Sequence, residues 1–439
     1  MVTSDGGAGD FDFELARALG RPRSVLDVGC GLGREGELAR AKGARVVGVE
    51  SSPALAAAAR TRLDEVIEGP IEKDATFAML GSRRFDVILL RDVLEHAGEP
   101  RAALARFVPL LEDGGRLLLS QRLRSFSDGS AVRLVEESGL EVLWVGLNPI
   151  FASKMLAGGH GDDPSRQLKS PLYQMYLKLL QPVEGQLARF APGISLRTVI
   201  VARKIPERRK LSCTVGMLSM NEESAVGRVI DQIREHAPDA EILLVDSSKD
   251  RTPEIAQEKG ARVIRQVPPR GYGPAMDALL YGATGDVVIT MDCDGTYPAE
   301  RIRDLRALVE GGADLVNGSR TRHRPVSMPF TNFLANRVFA TAANLAHGVH
   351  TTDVHSGMRA YRTSMLRSID VDPAGPALPV ELLVVPATSG FRVVDVEIPY
   401  HHRIGVSSLQ RWQSTVWTFR RLARSTPGPR ARRDRWTTL

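Results

Sequence analysis

Two aspartates that stand one residue apart carry the clearest chemistry in this sequence. Asp292 and Asp294, in "MDCDGTYP", follow the apolar run "GDVVIT", which predicts a buried strand. Open α/β sheets bind ligands at the carboxyl ends of their strands, and Mg²⁺ or Mn²⁺ takes one or two carboxylates together with substrate phosphates. Taken alone, the pair is compatible with a metal site and with a solvated turn.

The stretch before this pair favours the metal site. "RGYG" begins at Arg270 and combines a cation with two glycines, Gly271 and Gly273, which suits the binding of a diphosphate. A divalent ion held by Asp292 and Asp294 would neutralise charge on a departing nucleoside diphosphate. The sequence therefore predicts a metal-dependent nucleotide site in the second half of the chain.

A glycine-rich turn in the first half predicts a second ligand site. In "VLDVGCGLG", glycines alternate with other residues between a predicted strand and a predicted helix. Glycines let the backbone approach a ligand, and the helix N-terminus adds a positive dipole. Glu50 ends the next strand, seventeen residues beyond Gly33, where an acid can accept from both hydroxyls of a ribose. At this point a dinucleotide fold remains open.

The elements that must position these residues begin twice along the chain. "SVLDVGCGLGREGELARAKGARVVGVE" and "LSCTVGMLSMNEESAVGRVIDQIREHAPDAEILLVD" both alternate strand, turn, helix and strand, as a mostly parallel sheet requires. Between them lies the charged, proline-containing stretch "ARKIPERRK" over residues 202–210. We predict two Rossmann-like α/β domains, residues 1–205 and 206–439, which suits a chain of 439 residues.

Composition restricts the classes of partner. The net charge of +6 does not indicate a nucleic-acid binder. The stretch 405–439 holds eight arginines and one acid, so this tail could meet an anionic membrane surface or phosphates, or could simply be solvated. The sequence shows no signal peptide, no run of about 18 to 20 apolar residues and no zinc or disulfide pattern among its three cysteines. We expect a cytoplasmic protein whose tail is a candidate contact at the inner membrane surface.

The first half resembles class I S-adenosylmethionine-dependent methyltransferases in "LDVGCGLG", in Glu50 and in "FDVILLRDVLEHAGEP" followed by "LLEDGGRLLLS". The resemblance implies the class I methyltransferase fold and S-adenosylmethionine as cofactor. It implies that Glu50 holds the ribose and that Ile71 packs on the adenine. The residues implied to bind the cofactor, most of them on the methionine side, are Asp27, Gly29, Gly31, Gly33, Glu50, Ile71 and Asp92. The segment after "GGRLLLS" that would cover a methyl acceptor is short, so a binding or scaffolding module without turnover remains an alternative.

The second half is similar to family 2 glycosyltransferases of the GT-A fold, most of all to polyprenyl-phosphate (dolichyl-phosphate) mannosyl- and glucosyltransferases. The motifs that carry this are "MNEE", "LLVDSSKD", "RGYGPAMDALLYGATGD", "DCDGTYP", "NGSR", "TDVHSGMRAYR" and "HHRIGVSS". The resemblance implies that Asp292 and Asp294 bind Mn²⁺ or Mg²⁺ and that Asp353 and Arg403 are catalytic. The implied nucleotide-sugar-binding residues are Leu218, Met220, Glu222, Asp246, Arg270, Asp292, Ser356, Arg359, Arg403 and Ser407.

Together these patterns predict a bifunctional enzyme. Its second half transfers a sugar from a nucleotide sugar to a polyprenyl phosphate or a small natural-product acceptor, and its first half binds S-adenosylmethionine or transfers its methyl group. The alternative is a glycosyltransferase whose methyltransferase-like half is catalytically inactive. An acceptor phosphate is already ionised and needs no base, whereas an acceptor alcohol needs one, for which Asp353 is the candidate.

Overall fold

The computed structural model describes most of the chain, namely residues 15, 18–95, 97–122, 130–149, 196–375, 377–402, 404, 417–422 and 436–438. Contacts divide the chain into two compact units, the first comprising residues 1–207 with 367–370 and the second residues 208–366 with 371–439. The main division lies two residues after the boundary that the sequence predicts. Each unit is built on its own sheet.

The first unit contains a seven-stranded sheet in the order β3-β2-β1-β4-β5-β7-β6. Its strands are β1 (Ser24–Val28), β2 (Arg45–Glu50), β3 (Glu65–Glu68), β4 (Phe85–Arg91), β5 (Leu111–Arg122), β6 (Leu140–Pro149) and β7 (Leu196–Lys204). The strands from β3 to β5 are parallel, and β7 runs antiparallel to both β5 and β6. Its helices are α1 (Arg34–Ala41), α2 (Pro53–Ala59), α3 (Asp74–Ala78), α4 (Pro100–Phe107) and α5 (Ser130–Glu137).

Strand order in the first unit creates a crevice at the end of β1. The chain proceeds from β1 to β2 and β3 on one side and then returns to place β4 on the other side of β1. At such a switch point the connections leave in opposite directions, which opens a crevice at the carboxyl ends of the two central strands. Val28, which ends β1, pairs with Leu90 near the end of β4. The glycine-rich turn follows β1 directly and therefore lies at this crevice.

The second unit contains an eight-stranded sheet in the order β10-β9-β8-β11-β13-β12-β14-β15. Its strands are β8 (Cys213–Ser219), β9 (Glu241–Asp246), β10 (Arg262–Arg265), β11 (Val287–Asp292), β12 (Leu315–Ser319), β13 (Arg359–Arg362), β14 (Val393–Glu397) and β15 (Trp436–Thr438). All neighbouring strands are parallel except β13, which is antiparallel to β11 and β12. Its helices are α6 (Val226–His236), α7 (Thr252–Glu258), α8 (Tyr272–Gly282), α9 (Ile302–Glu310), α10 (Phe330–His347), α11 (Thr363–Ser368) and α12 (Leu378–Thr388).

Helical periodicity explains how the second sheet is covered. Helix α6 buries Val226, Val229, Ile230 and Ile233, which recur at the spacing of one helical face, and these pack in the same core as the strand residues. The strand order again reverses, here between β8 and β11, so the carboxyl ends of these two strands frame a crevice.

Both sheets confirm the predicted fold class of two Rossmann-like α/β domains. Within the described part of the chain, no helix combines the length and the apolar character needed to cross a membrane.

Candidate functional site

The aspartate pair lies at the crevice of the second sheet. Asp292 ends β11 and pairs with Leu218 of β8, so it stands at the point where the strand order reverses. Asp294 is buried, and its Oδ1 accepts hydrogen bonds from the backbone N–H of Thr296 at 3.0 Å and from the Thr296 hydroxyl at 2.6 Å. Thr296 therefore orients the second carboxylate, and Cys293 between the two aspartates is buried.

A later segment of the chain is bonded to this aspartate turn. The backbone N–H of His401 donates to the carbonyl of Thr296, and that of Ile404 donates to the carbonyl of Asp294, both at 2.9 Å. A Cβ at Gly295 would stand 3.0 Å from Ile404 Cδ1, so the turn and the segment are closely packed. The predicted residues Arg403 and Ser407 lie outside the described residues. The two bonds bring His401 and Ile404 to the aspartate turn.

Four carboxylates surround Cys293. Burial raises the pKa of its thiol most, and Glu222, Asp294, Asp292 and Asp246 raise that pKa further. The site is thus strongly negative and suits a divalent cation. No cluster of three or more potential metal ligands occurs within the described ranges, so the protein would supply two carboxylates and leave the remaining positions to phosphate oxygens and water. This is the pattern in which Mg²⁺ sites built on nucleotide phosphates are usually found.

Asp246, the predicted nucleotide contact, joins the loops that follow β8 and β9. Its carboxylate is fully buried and accepts from the Ser219 hydroxyl at 2.6 Å, from the Ser248 hydroxyl at 2.5 Å and from the Ser248 backbone N–H at 3.0 Å. The guanidinium of Arg265 donates to it as well. These donors keep the two loops side by side. Asp246 therefore supports, from a buried position, the part of the crevice where a nucleotide is predicted to bind.

The remaining predicted donor contacts on this side are nearer the surface. Glu222 is half-buried, and its backbone N–H donates to the Thr252 hydroxyl at 2.9 Å. Leu218 is half-buried, whereas Met220 is 45% exposed, so its side chain is accessible to the base of a nucleotide. Arg270 is exposed two residues before α8 begins at Tyr272.

Asp353 is placed very differently from a reactive acid. It is fully buried, and Arg320 donates to it through Nε at 2.6 Å and through Nη2 at 3.0 Å. Burial acts to raise the pKa of Asp353, but the charge and hydrogen bonds of Arg320 outweigh it and the pKa is lowered. A carboxylate that is held ionised and bonded in this way is a weak proton acceptor. The geometry therefore favours a positioning role over the predicted role of general base.

Two predicted contacts in the same motif are also buried within the fold. The guanidinium of Arg359 donates to Asn317 Oδ1 at 2.7 Å and to the carbonyls of Pro379 and Val354 at 2.6 and 2.8 Å. Ser356 is buried, and its hydroxyl donates to the Met358 carbonyl at 3.3 Å. These bonds hold the "TDVHSGMRAY" segment together, and they do not direct either side chain toward a ligand.

Sequence reasoning did not single out Arg320 and two tyrosines. Arg320 bonds to the hydroxyl of Tyr297 at 2.9 Å, and its guanidinium lies 5.1 Å from the ring centre of Tyr400. The two rings meet edge to face at 5.7 Å. The position of these residues in the sequence could have indicated them. Arg320 follows the last residue of β12 in "NGSR", and Tyr297 ends "DCDGTY".

In the first unit, the glycine-rich turn wraps around the end of β2. Gly29, Gly31 and Gly33 have φ of 69°, 53° and 76°, in the left-handed region that favours glycine. Glu50 accepts from the backbone N–H of Gly31 at 2.9 Å and from that of Ser52 at 2.8 Å. Its carboxylate thus lies at the glycine-rich turn, and its contact with a ribose stays a prediction.

Asp27 is the unusual acid of this crevice. It is buried, and its Oδ2 has no hydrogen-bond partner among the described residues. Burial, with a further contribution from Glu35, raises the pKa of Asp27 to about 8. Arg91 at the end of β4 forms an ion pair with Glu35. A buried carboxyl beside a glycine turn, with one oxygen left without a partner, suits a cationic group of a ligand.

The other two predicted cofactor contacts flank the crevice. Asp92 has φ of 55°, and its backbone N–H donates to the Ser120 carbonyl at 3.0 Å. Ile71 borders an apolar cavity of about 270 Å³ that Phe77, Val93 and Phe107 also line. The structure therefore brings the predicted residues of the first unit to one end of the sheet.

Comparison with known families identifies both halves. The model for "Glycosyl transferase family 2" matches residues 214–370, and the model for "Methyltransferase domain" matches residues 11–156.

Curated relatives match the second half. A dolichyl-phosphate hexose transferase of Haloferax volcanii is 41% identical over 198 residues, which cover 44% of this chain and 85% of that protein. A polyprenol monophosphomannose synthase of Mycolicibacterium smegmatis is 30% identical over 43% of this chain and 77% of its own length. Among solved structures, glucosyl-3-phosphoglycerate synthase of Mycobacterium tuberculosis superposes with a TM-score of 0.41 at 23% identity, over 50% of this chain and 81% of that chain.

The sequence identity to the Haloferax volcanii protein extends over most of that protein's length. It agrees with the family model and with the geometry of the second sheet. The chain belongs to glycosyl transferase family 2 and carries a methyltransferase domain in its first half.

Proposed function

We propose that the second unit transfers a sugar from a nucleotide-diphosphate donor to a polyprenyl phosphate, with Mn²⁺ or Mg²⁺ held by Asp292 and Asp294. The observation that carries this proposal is the aspartate turn at the strand-order reversal, with His401 and Ile404 bonded to its backbone. The names of the relatives support the acceptor class, since they act on dolichyl or polyprenol phosphates.

The chemistry follows from where charge develops. An oxygen of the acceptor phosphate forms a bond to the anomeric carbon, and the bond from that carbon to the donor diphosphate breaks with its electron pair leaving on the diphosphate. When bound, the divalent cation supplies positive charge against the leaving diphosphate. Arg403 is proposed to add a second positive charge there. The acceptor phosphate is already ionised near neutral pH, so no proton has to be removed.

The placement of Asp353 supports a phosphate acceptor over an alcohol. An alcohol must lose a proton during attack, and the low pKa and burial of Asp353 make it a weak acceptor of that proton. We propose that Asp353 instead holds Arg320 in place beneath the site. A natural-product alcohol remains the second acceptor class, and it would need a base from another residue.

Donor specificity and metal dependence can be measured together. The full-length protein is incubated with UDP-, GDP- and dTDP-sugars, Mn²⁺ and a short polyprenyl phosphate, and release of nucleoside diphosphate is followed. We expect release with one donor class and a loss of at least about 100-fold in Asp292→Asn, because a metal ligand is removed. Asp304→Asn changes an exposed carboxylate of α9 and serves as the matched control. Equal release by both variants would disprove the metal role.

We further propose that helix α10 rests on an anionic membrane surface while the acceptor is engaged. Phe330, Leu334 and Val338 follow one another at four-residue spacing and are 57%, 51% and 49% exposed. Residues 321–352 contain no aspartate or glutamate but include three arginines. An exposed apolar stripe bordered by cations is the pattern of a helix that lies in the membrane interface. This surface adds to the basic tail that the sequence suggested.

For the first unit we propose binding of S-adenosylmethionine, with or without methyl transfer. The residues present fit this cofactor, because its sulfonium and amino groups are cationic and Asp27 offers a buried carboxyl oxygen without a partner. Glu50 is proposed to hold the ribose, and Ile71 and its cavity are proposed to lie beside the adenine. Calorimetry with S-adenosylmethionine and S-adenosylhomocysteine tests whether the first unit binds the cofactor or has only a structural role. A methyl-transfer assay on the glycosylated product then tests whether a cofactor-binding unit is also an enzyme.

A further inference from the structure

The hydroxyl of Tyr297 accepts two hydrogen bonds in the second unit. One comes from the backbone N–H of Gly357 at 2.7 Å and the other from Nη1 of Arg320 at 2.9 Å. A phenol oxygen has two acceptor positions and one proton, so both acceptor positions are filled. The proton of Tyr297 therefore points away from both of these donors.

Gly357 shows which group lies on that side. A Cβ at residue 357 would stand 3.0 Å from Oδ1 of Asp292 and 3.0 Å from the Tyr297 hydroxyl oxygen. The two oxygens therefore lie no more than about 6 Å apart beside the glycine, a separation that one bridging water can span. Gly357 has no left-handed φ among the backbone angles of this chain, so its lack of a side chain matters here for space.

The other side of Tyr297 is rigidly held. Arg320 is bonded to the buried carboxylate of Asp353 through two nitrogens, and Asp353 also accepts from the backbone N–H of His355 at 3.1 Å. Tyr297 itself is 2% exposed and packs edge to face against Tyr400. A fixed chain of bonds thus runs from Asp353 through Arg320 to Tyr297, whose hydroxyl oxygen lies no more than about 6 Å from Oδ1 of Asp292.

We infer that Tyr297 is a positioning residue that directs its proton to Oδ1 of Asp292 and so fixes the carboxylate that faces the metal. This inference rests on the proposed function, because it assigns the orientation of a proposed metal ligand. Groups that orient a metal ligand through a hydrogen bond commonly change metal affinity about 10- to 100-fold when they are removed. Asp353, Arg320 and Tyr297 then act together on the site without touching the sugar.

The test measures metal affinity directly. Free Mn²⁺ is titrated by electron paramagnetic resonance against the full-length protein saturated with UDP and, separately, with GDP. We expect Tyr297→Phe to weaken Mn²⁺ binding about 10-fold, while the melting temperature stays within a few degrees of wild type. Tyr281→Phe removes a hydroxyl that donates to the Leu366 carbonyl elsewhere in the same unit, and it should leave Mn²⁺ binding unchanged.

A second variant guards against simple loss of folding. Gly357→Ala keeps the tyrosine and every bond of Arg320 but places a methyl group between the two oxygens, so it should weaken Mn²⁺ binding to a similar extent. Unchanged Mn²⁺ affinity in both Tyr297→Phe and Gly357→Ala would overturn the positioning role while leaving the metal site intact. If the wild-type protein binds no Mn²⁺ with either nucleotide, the metal site and the positioning role both fail.

Discussion

At the scale of single residues, the aspartate pair could be anticipated because "DCD" follows an apolar strand and so must emerge at a sheet edge. Arg320 and Tyr297 could not, because their importance depends on bonds between segments more than twenty residues apart. Asp353 shows a property of a predicted catalytic residue that its motif does not reveal. Its motif suggests chemistry, but only the coordinates reveal that a guanidinium already occupies its carboxylate.

The burial of the Asp353–Arg320 pair leads to a prediction about stability. Asp353→Asn leaves a buried guanidinium without its counter-charge, and breaking a buried ion pair in this way usually costs about 3 to 5 kcal/mol. We expect guanidinium-chloride unfolding to show a loss of free energy of that order. A variant that keeps wild-type stability yet loses all sugar transfer would instead indicate that Asp353 acts directly in the reaction.

The raised pKa of Asp27 predicts how cofactor affinity depends on pH. With a pKa of about 8, Asp27 is largely protonated at pH 7, and a cationic ligand favours its ionised form. Binding of S-adenosylmethionine should therefore release a proton, and affinity should rise from pH 6.5 to pH 8.5. Calorimetry in buffers of different ionisation enthalpy measures the released proton, and Asp27→Asn should abolish it. Affinity that falls over this range would contradict the assignment.

At the scale of elements, the alternation of strand and helix was readable because both sheets have parallel centres whose strands are mostly apolar. The antiparallel strand β13 was not, since it is only four residues long, has an arginine at each end and pairs with strands that are distant in sequence. Helix α10 was also not recognised as an exposed face. Its outward stripe becomes apparent only when the buried positions Phe339, Ala340 and Ala343 show which side faces the core.

The exposed stripe on α10 predicts that a charged substitution there weakens binding to a membrane. Phe330→Glu places a carboxylate on the exposed apolar face, which should reduce sedimentation of the full-length protein with vesicles rich in anionic lipid several-fold, since both hydrophobic contact and charge attraction are lost. Met79→Glu changes an equally exposed apolar residue of the first unit and is the matched control. Equal loss in both variants, or no loss in either, would remove α10 from the proposed interface.

At the scale of the whole molecule, each of the two sheets carries its own set of predicted ligand-binding residues. Asp27 and Glu50 belong to the first sheet, and Asp292 and Asp294 follow the second. The family identity of each half could be predicted from motifs, because those motifs cluster at strand ends in the order that the fold requires. Motifs do not predict the donor base or the methyl acceptor in the same way, because the recognition of each depends on only a few residues at the surface of its crevice.

If the two sites act independently, a substitution in one site should leave the function of the other unchanged. Glu50→Gln should weaken S-adenosylmethionine binding about 10-fold or more while sugar transfer continues, because the ribose contact becomes neutral. Asp292→Asn should do the reverse. Calorimetry with the cofactor and nucleotide release, measured on the same preparations, check both. Loss of both activities in either variant would show that the two sites do not act independently.

Metal-dependent sugar transfer to a polyprenyl phosphate at Asp292 and Asp294 is the proposed activity of the second unit. Its most direct measurement follows a radiolabelled sugar from the nucleotide donor into the organic-solvent extract of a reaction that contains polyprenyl phosphate and Mn²⁺. We predict label in the extract with wild type and with Asp304→Asn, and none with Asp292→Asn or with chelator. Label that appears equally in all four reactions, or that never enters the extract although nucleoside diphosphate is released, would contradict the claim.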